Sequence, residues 1–130
     1  MIKKDYNNKI ILEILVNIEK LLESIIEKFE ELNLNHNFLC EKNGLLKQDA
    51  VFDKLLEVEN SFKEINRLGG SRFFSNYNHV PWNQVEITKN VLSYHHYNLD
   101  PEIIFEVCKK NITELLNIIK NTINNLSTRM

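Results

Sequence analysis

Glycine and proline are nearly missing from this chain, at three and two residues in 130. A strand-rich domain of that length spends many more of both on its turns, so the shortage argues against an all-β fold and for long helices. Cysteine is equally scarce. Cys40 and Cys108 stand far apart without metal-ligand spacing, and they read as buried or incidental thiols of a reducing compartment. Neither charge dominates: 16 Lys and Arg against 18 Asp and Glu leave −2, which excludes a global polycation but not a local basic site. No apolar run reaches membrane-spanning length, and the opening MIKKDYNNKI leads into a charged amphipathic segment and not a signal peptide. A cytoplasmic protein with no membrane contact is expected.

What is present is periodicity. With 43% hydrophobic and 26% charged residues the composition is that of an ordinary globular chain, and residues 1–130 are expected to form one domain. From about Asp5 to Leu32, the residues Ile11, Leu15, Ile18, Leu22, Ile25, Phe29 and Leu32 alternate spacings of four and three. Ile10, Ile14, Leu21 and Ile26 widen that stripe, while Glu23, Glu27 and Lys28 mark the wet side. A second helix is expected from after Gly44 to about Leu68, on Val51, Leu55, Val58, Phe62 and Ile65. It should end where Gly69 or Gly70 takes the left-handed cap conformation. SRFFSNYNHV reads as a connector. Pro81 suits the first turn of a shorter third helix, from about Trp82 to Ser93. In LDPEIIFEV, Asp100 is the N-cap, Pro101 the first helical residue and Glu102 a first-turn acid. Ile104, Cys108, Ile112, Leu115, Ile119, Ile123 and Leu126 carry this last helix towards the C-terminus. The fold class is therefore all-α, an up-and-down bundle of four helices, or five, and the width of the stripes points to a homodimer.

Few chemical signatures accompany this bundle. A phosphate-binding glycine loop, a dinucleotide fingerprint, Gly-x-Ser-x-Gly and His-Glu-x-x-His are all missing. A di-iron bundle needs Glu-x-x-His pairs, and Glu86, Glu102 and Glu106 have no His at that spacing. No cofactor and no metal is expected. His36 and His79 stand singly in connectors. One stretch differs: KNVLSYHHYNLDPEII, residues 89–104, gathers Lys89, Tyr94, His95, His96 and Tyr97. Lysine holds a phosphate as a point charge and histidine moves protons near neutral pH; together they suffice for metal-independent RNA cleavage by a 2′-hydroxyl. The competing reading is that these amphipathic residues merely cover a helix end.

Beyond composition, VPWNQVEITKN followed by LDPEIIFEV resembles the C-terminal half of the HepT-like branch of the HEPN family. Pro81, Trp82, Asn90, Asp100 and Glu102 fall on that family's pattern, with Phe105 in place of its Trp. Upstream, Gln48, Asp49, Ala50 and Val51 resemble the opening of its second helix. The likeness covers about residues 10 to 120. It implies a dimerising helical bundle whose groove cleaves RNA through an Arg-x4-His motif, often continued as His-x-Tyr. It also implies a nucleotidyltransferase (MNT) antitoxin as partner, which in some pairs adds AMP to the motif tyrosine.

The chain departs from that motif. Aligned without gaps, Lys89 takes the Arg position, Tyr94 the His position and His96 the Tyr position, while His95-His96-Tyr97 supplies His-x-Tyr one residue late. Glu59-Asn60 replaces the family's Gly-Glu. Either the motif has slipped or it is degenerate. The resemblance thus implies Lys89 for the scissile phosphate, His95 or His96 as acid or base, Asn90 as orienter, and Tyr97 (secondarily Tyr94) as the AMP acceptor. The alternative is a catalytically inactive HEPN module that binds a nucleotidyltransferase. A small helical dimer with no relation to RNA is the third reading.

Overall fold

A computed structural model of the chain describes the backbone of residues 2–35, 42–74, 83, 85, 86, 88 and 101–129. Side chains are described at 7–28, 30, 51, 53–70, 72–74, 83, 85, 86, 88, 106 and 109–128. The described residues are all helical or in turns: α1 (Ile2–Asn35), α2 (Lys42–Arg67), a 3₁₀ turn (Gly70–Phe74) and α3 (Pro101–Arg129). Asn83, Val85, Glu86 and Thr88, within the span expected for the shorter third helix, are helical too. The chain is an all-α helical bundle.

Helix α1 packs against both α2 and α3, which explains its broad apolar surface. Its stripe residues Ile11, Leu15, Ile18, Leu22 and Ile25 are all fully buried. Leu12, Ile14, Leu21 and Ile26 flank that core, so three of the four widening positions are used within the chain. A helix with one neighbour needs one stripe; a helix between two needs more than half its circumference apolar. The width alone therefore does not require a second copy. Helix α2 contributes Val51, Leu55, Val58, Phe62 and Ile65, the five positions expected from spacing.

Three expectations are corrected. Helix α2 begins at Lys42, not after Gly44, so this glycine lies in its first turn, where backbone N–H groups lack intrahelical partners in any case. On α3 the fully buried position is Thr122, 2% exposed, while Ile123 packs half-buried against the edge of the core. A helical repeat of 3.6 carries the inward face from Ile119 to Thr122, and the hydroxyl donates to the Ile118 carbonyl at 2.8 Å, leaving no unpaired buried donor. Finally, SRFF is not a plain connector but most of a 3₁₀ turn that puts Phe74 in the core, edge-on to Phe62 at 6.0 Å.

Two adjacent glycines make the corner after α2, for different reasons. Gly69 has φ +80°, left-handed backbone in which a side chain is strained. Leu68 N–H still donates to the Glu64 carbonyl at 3.0 Å, and Gly69 N–H turns to that of Asn66 at 3.0 Å, closing the helix. Gly70 is required by closeness: a Cβ there would lie 2.6 Å from Ile65 Cγ2 and 3.0 Å from Ile11 Cδ1. Arg72 then clasps the corner to α1. It donates to Asn8 Oδ1 at 2.9 Å and to the Gly69 carbonyl at 3.0 Å, and its guanidinium lies 4.7 Å from the Phe73 ring centroid.

Candidate functional site

Lys89, Asn90, Tyr94, His95, His96 and Tyr97 lie outside the described residues, as do His36, Cys40, His79, Pro81, Trp82 and Asp100. Cys108 is on α3, its side chain undescribed. What the structure does fix is the chain on either side of the 89–97 stretch. Val85 and Thr88, three apart on one helical face, are both fully buried, whereas Asn83 and Glu86 on another face are exposed. Burial at Val85 and Thr88 pins the segment just before Lys89 to the core. Downstream, the next helix begins at Pro101, where its fixed φ and missing N–H suit a first helical position.

Next to this anchored segment lies a cleft of about 340 Å³. Its lining is Glu59, Phe62, Lys63 and Asn66 of α2 with Asn83 and Glu86. The α2 residues follow at i, i+3, i+4 and i+7, one face of the helix. Lys63 Nζ is 3.5 Å from Glu59 Oε1, an i,i+4 pair whose lysine is exposed and whose glutamate is half-buried, of the kind that adds little stability. Sequence reading missed this group. It treated Glu59 only as a replacement in the Gly-Glu position, although three polar residues around Phe62 at helical spacing were the available signal.

Electrostatic perturbations elsewhere are mild and local. Partial burial, then a hydrogen bond and repulsion from Glu23, hold the Glu19 carboxyl above its ordinary range, against the pull of Lys120 on α3. Arg67 does the reverse to Glu64, its hydrogen bonds favouring the carboxylate: Arg67 Nε lies 3.0 Å from Glu64 Oε2, and Nη2 also contacts Oε1. Among the described residues no group of three or more His, Cys, Asp or Glu gathers as a metal site would require, and no helix is long and apolar enough to cross a membrane.

Comparison with known proteins bears on the expected family directly. The profile described as "Ribonuclease HepT-like" matches residues 11–122. The chain belongs to the HepT-like ribonuclease family. The match takes in every buried core residue described on α1 and α2 and those of α3 as far as Thr122, while Leu126, also buried, lies just beyond it. A curated relative named "Gamma-glutamylcyclotransferase and putative RNase MJ0434", from Methanocaldococcus jannaschii, is 26% identical over 105 residues, or 79% of this chain. The chain spans 44% of that relative's length. No solved structure matches at a significant level.

Proposed function

We propose that this HepT-like protein is a metal-independent endoribonuclease, the toxin of a toxin–antitoxin pair whose antitoxin is a nucleotidyltransferase, and that it works as a cytoplasmic homodimer. The observation that carries the reading is the family match over residues 11–122, which includes the whole 89–97 stretch. That stretch holds the residue types the reaction needs. Lys89 holds the scissile phosphate. One imidazole, His95 or His96, removes the proton of the attacking 2′-hydroxyl, and a protonated group returns one to the departing 5′-oxygen. The 2′-oxygen–phosphorus bond forms as the 5′-oxygen–phosphorus bond breaks, leaving a cyclic phosphate. Asn90 orients one of these groups. Tyr97, or secondarily Tyr94, accepts AMP from the partner.

The test is incubation of purified protein with mixed cellular RNA in EDTA, beside the His95→Ala/His96→Ala variant. Cleavage to cyclic-phosphate ends by the wild type, abolished in the variant, is expected; loss of one general acid or base alone costs about 10²–10⁴-fold. Equal cleavage by both would eliminate the histidine assignment. The second reading, an inactive module that binds a nucleotidyltransferase, draws on Lys89 at the motif Arg position and Tyr94 at the His position. Lysine lacks the bidentate fork for phosphate, and tyrosine with an ordinary pKa of about 10 is a poor base at neutral pH. Copurification with a nucleotidyltransferase and no cleavage of RNA would favour it.

A further inference from the structure

The cleft beside the anchored segment is lined by groups that the cleavage chemistry does not use. Glu59 and Glu86 contribute two negative charges and Lys63 one positive, a net −1, and Lys63 is already 3.5 Å from Glu59. A phosphate is therefore a poor occupant. Asn66 and Asn83 add carboxamides, each offering two N–H donors and a carbonyl acceptor. Phe62 is only 3% exposed and is held edge-on by Phe74, so it makes an apolar base to the cleft but no platform for stacking. Such a site reads a flat neutral ligand by its edge.

Among the bases of RNA, one fits this set best. A carboxylate takes two adjacent donors at once, and only guanine presents such a pair, N1–H beside its amino group. Its O6 and N7 are acceptors for carboxamide N–H groups. Adenine and cytosine bring an amino group with no adjacent ring N–H, and uracil a lone N–H. An ionised carboxylate has about four acceptor positions, so a single partner does not exhaust it. Unstacked bases of single-stranded RNA are recognised in this way, on their exposed edges. We propose that the cleft is a guanine-binding subsite, formed by Glu59, Asn66, Asn83 and Glu86, that selects where the RNA is cut; as a substrate-selecting site it rests on the ribonuclease reading.

The binding itself is measured without cleavage. The full-length protein, isotopically labelled, is titrated with GMP, AMP, CMP and UMP while its backbone amide resonances are followed. The phosphate is common to all four, so differences report the base. GMP is expected to bind about tenfold more tightly than the others, the discrimination of a good bidentate contact, and to shift resonances of the cleft residues. In Glu59→Gln/Glu86→Gln the four affinities should converge. Should that variant fail to fold, Asn83→Ala at an exposed position reads the same loss. Equal affinities in the wild type, no binding of any nucleotide, or GMP selectivity that survives the substitutions would each overturn the subsite. RNA cleavage without GMP selectivity overturns the subsite and leaves the ribonuclease standing. GMP selectivity in a protein that cuts no RNA supports the subsite and defeats the activity.

Discussion

At the scale of single residues, the corner after α2 shows how two identical letters carry different constraints. Gly69 is needed for its dihedral angle and Gly70 for the space above it. Gly70→Ala would press a methyl group onto Ile65 and Ile11, and the Ile65 carbonyl at 3.1 Å blocks the simplest escape. The expected loss is about 1–3 kcal/mol, the cost of overpacking, read as a lower urea midpoint at unchanged slope. An unchanged midpoint would show that the two isoleucines can repack. Glu19 offers a pH test. Its folded-state carboxyl titrates above the ordinary 4.5, so the neutral form is favoured on folding. That contribution is fully present below the ordinary value and lost as pH rises through the folded one. Glu19→Gln should therefore stabilise at neutral pH by about 0.2–0.5 kcal/mol, the scale of a like-charged i,i+4 pair, and the gain should fade in acid. A gain that grew on acidification would refute this sign.

At the scale of elements, α3 separates what a buried position demands from what fills it. Leu115 and Thr122 both face inward, but one supplies apolar volume and the other a hydroxyl bonded to its own helix. Leu115→Ala should cost about 2–5 kcal/mol through lost burial and a residual cavity. Thr122→Val keeps the shape and removes a hydroxyl whose acceptor is a helix carbonyl, so stability should stay within about 1 kcal/mol. Thermal unfolding of both variants checks the contrast. Equal losses would mean that the threonine hydroxyl is a structural contact in its own right. Most of each helix was legible in the sequence, because four-three spacing is a local property of the helix. The start of α2 and the 3₁₀ turn were not, since end positions depend on contacts with other segments.

At the scale of the whole molecule, α1 lies between α2 and α3, and this arrangement uses apolar positions that spacing alone had assigned to a second copy. Dimerisation is then a matter for solution measurement. Sedimentation equilibrium is expected to give twice the 15.4 kDa of one chain. A single-chain mass across the concentration range would remove the shared groove from the proposed mechanism and leave any cleavage to one protomer.

The sequence by itself determined the helical class, the inward faces of α1 and α2, the helix start at Pro101 and the family, because each depends on residue type at short, regular separations. Tertiary structure decided which glycine turns and which makes room, that Thr122 is buried in the core while Ile123 packs half-buried at its edge, and that Phe74 packs across Phe62. It also brought Asn83 and Glu86 beside a face of α2 to make a cleft. Those outcomes depend on surfaces meeting from distant parts of the chain, and no spacing along one helix encodes what will lie opposite it.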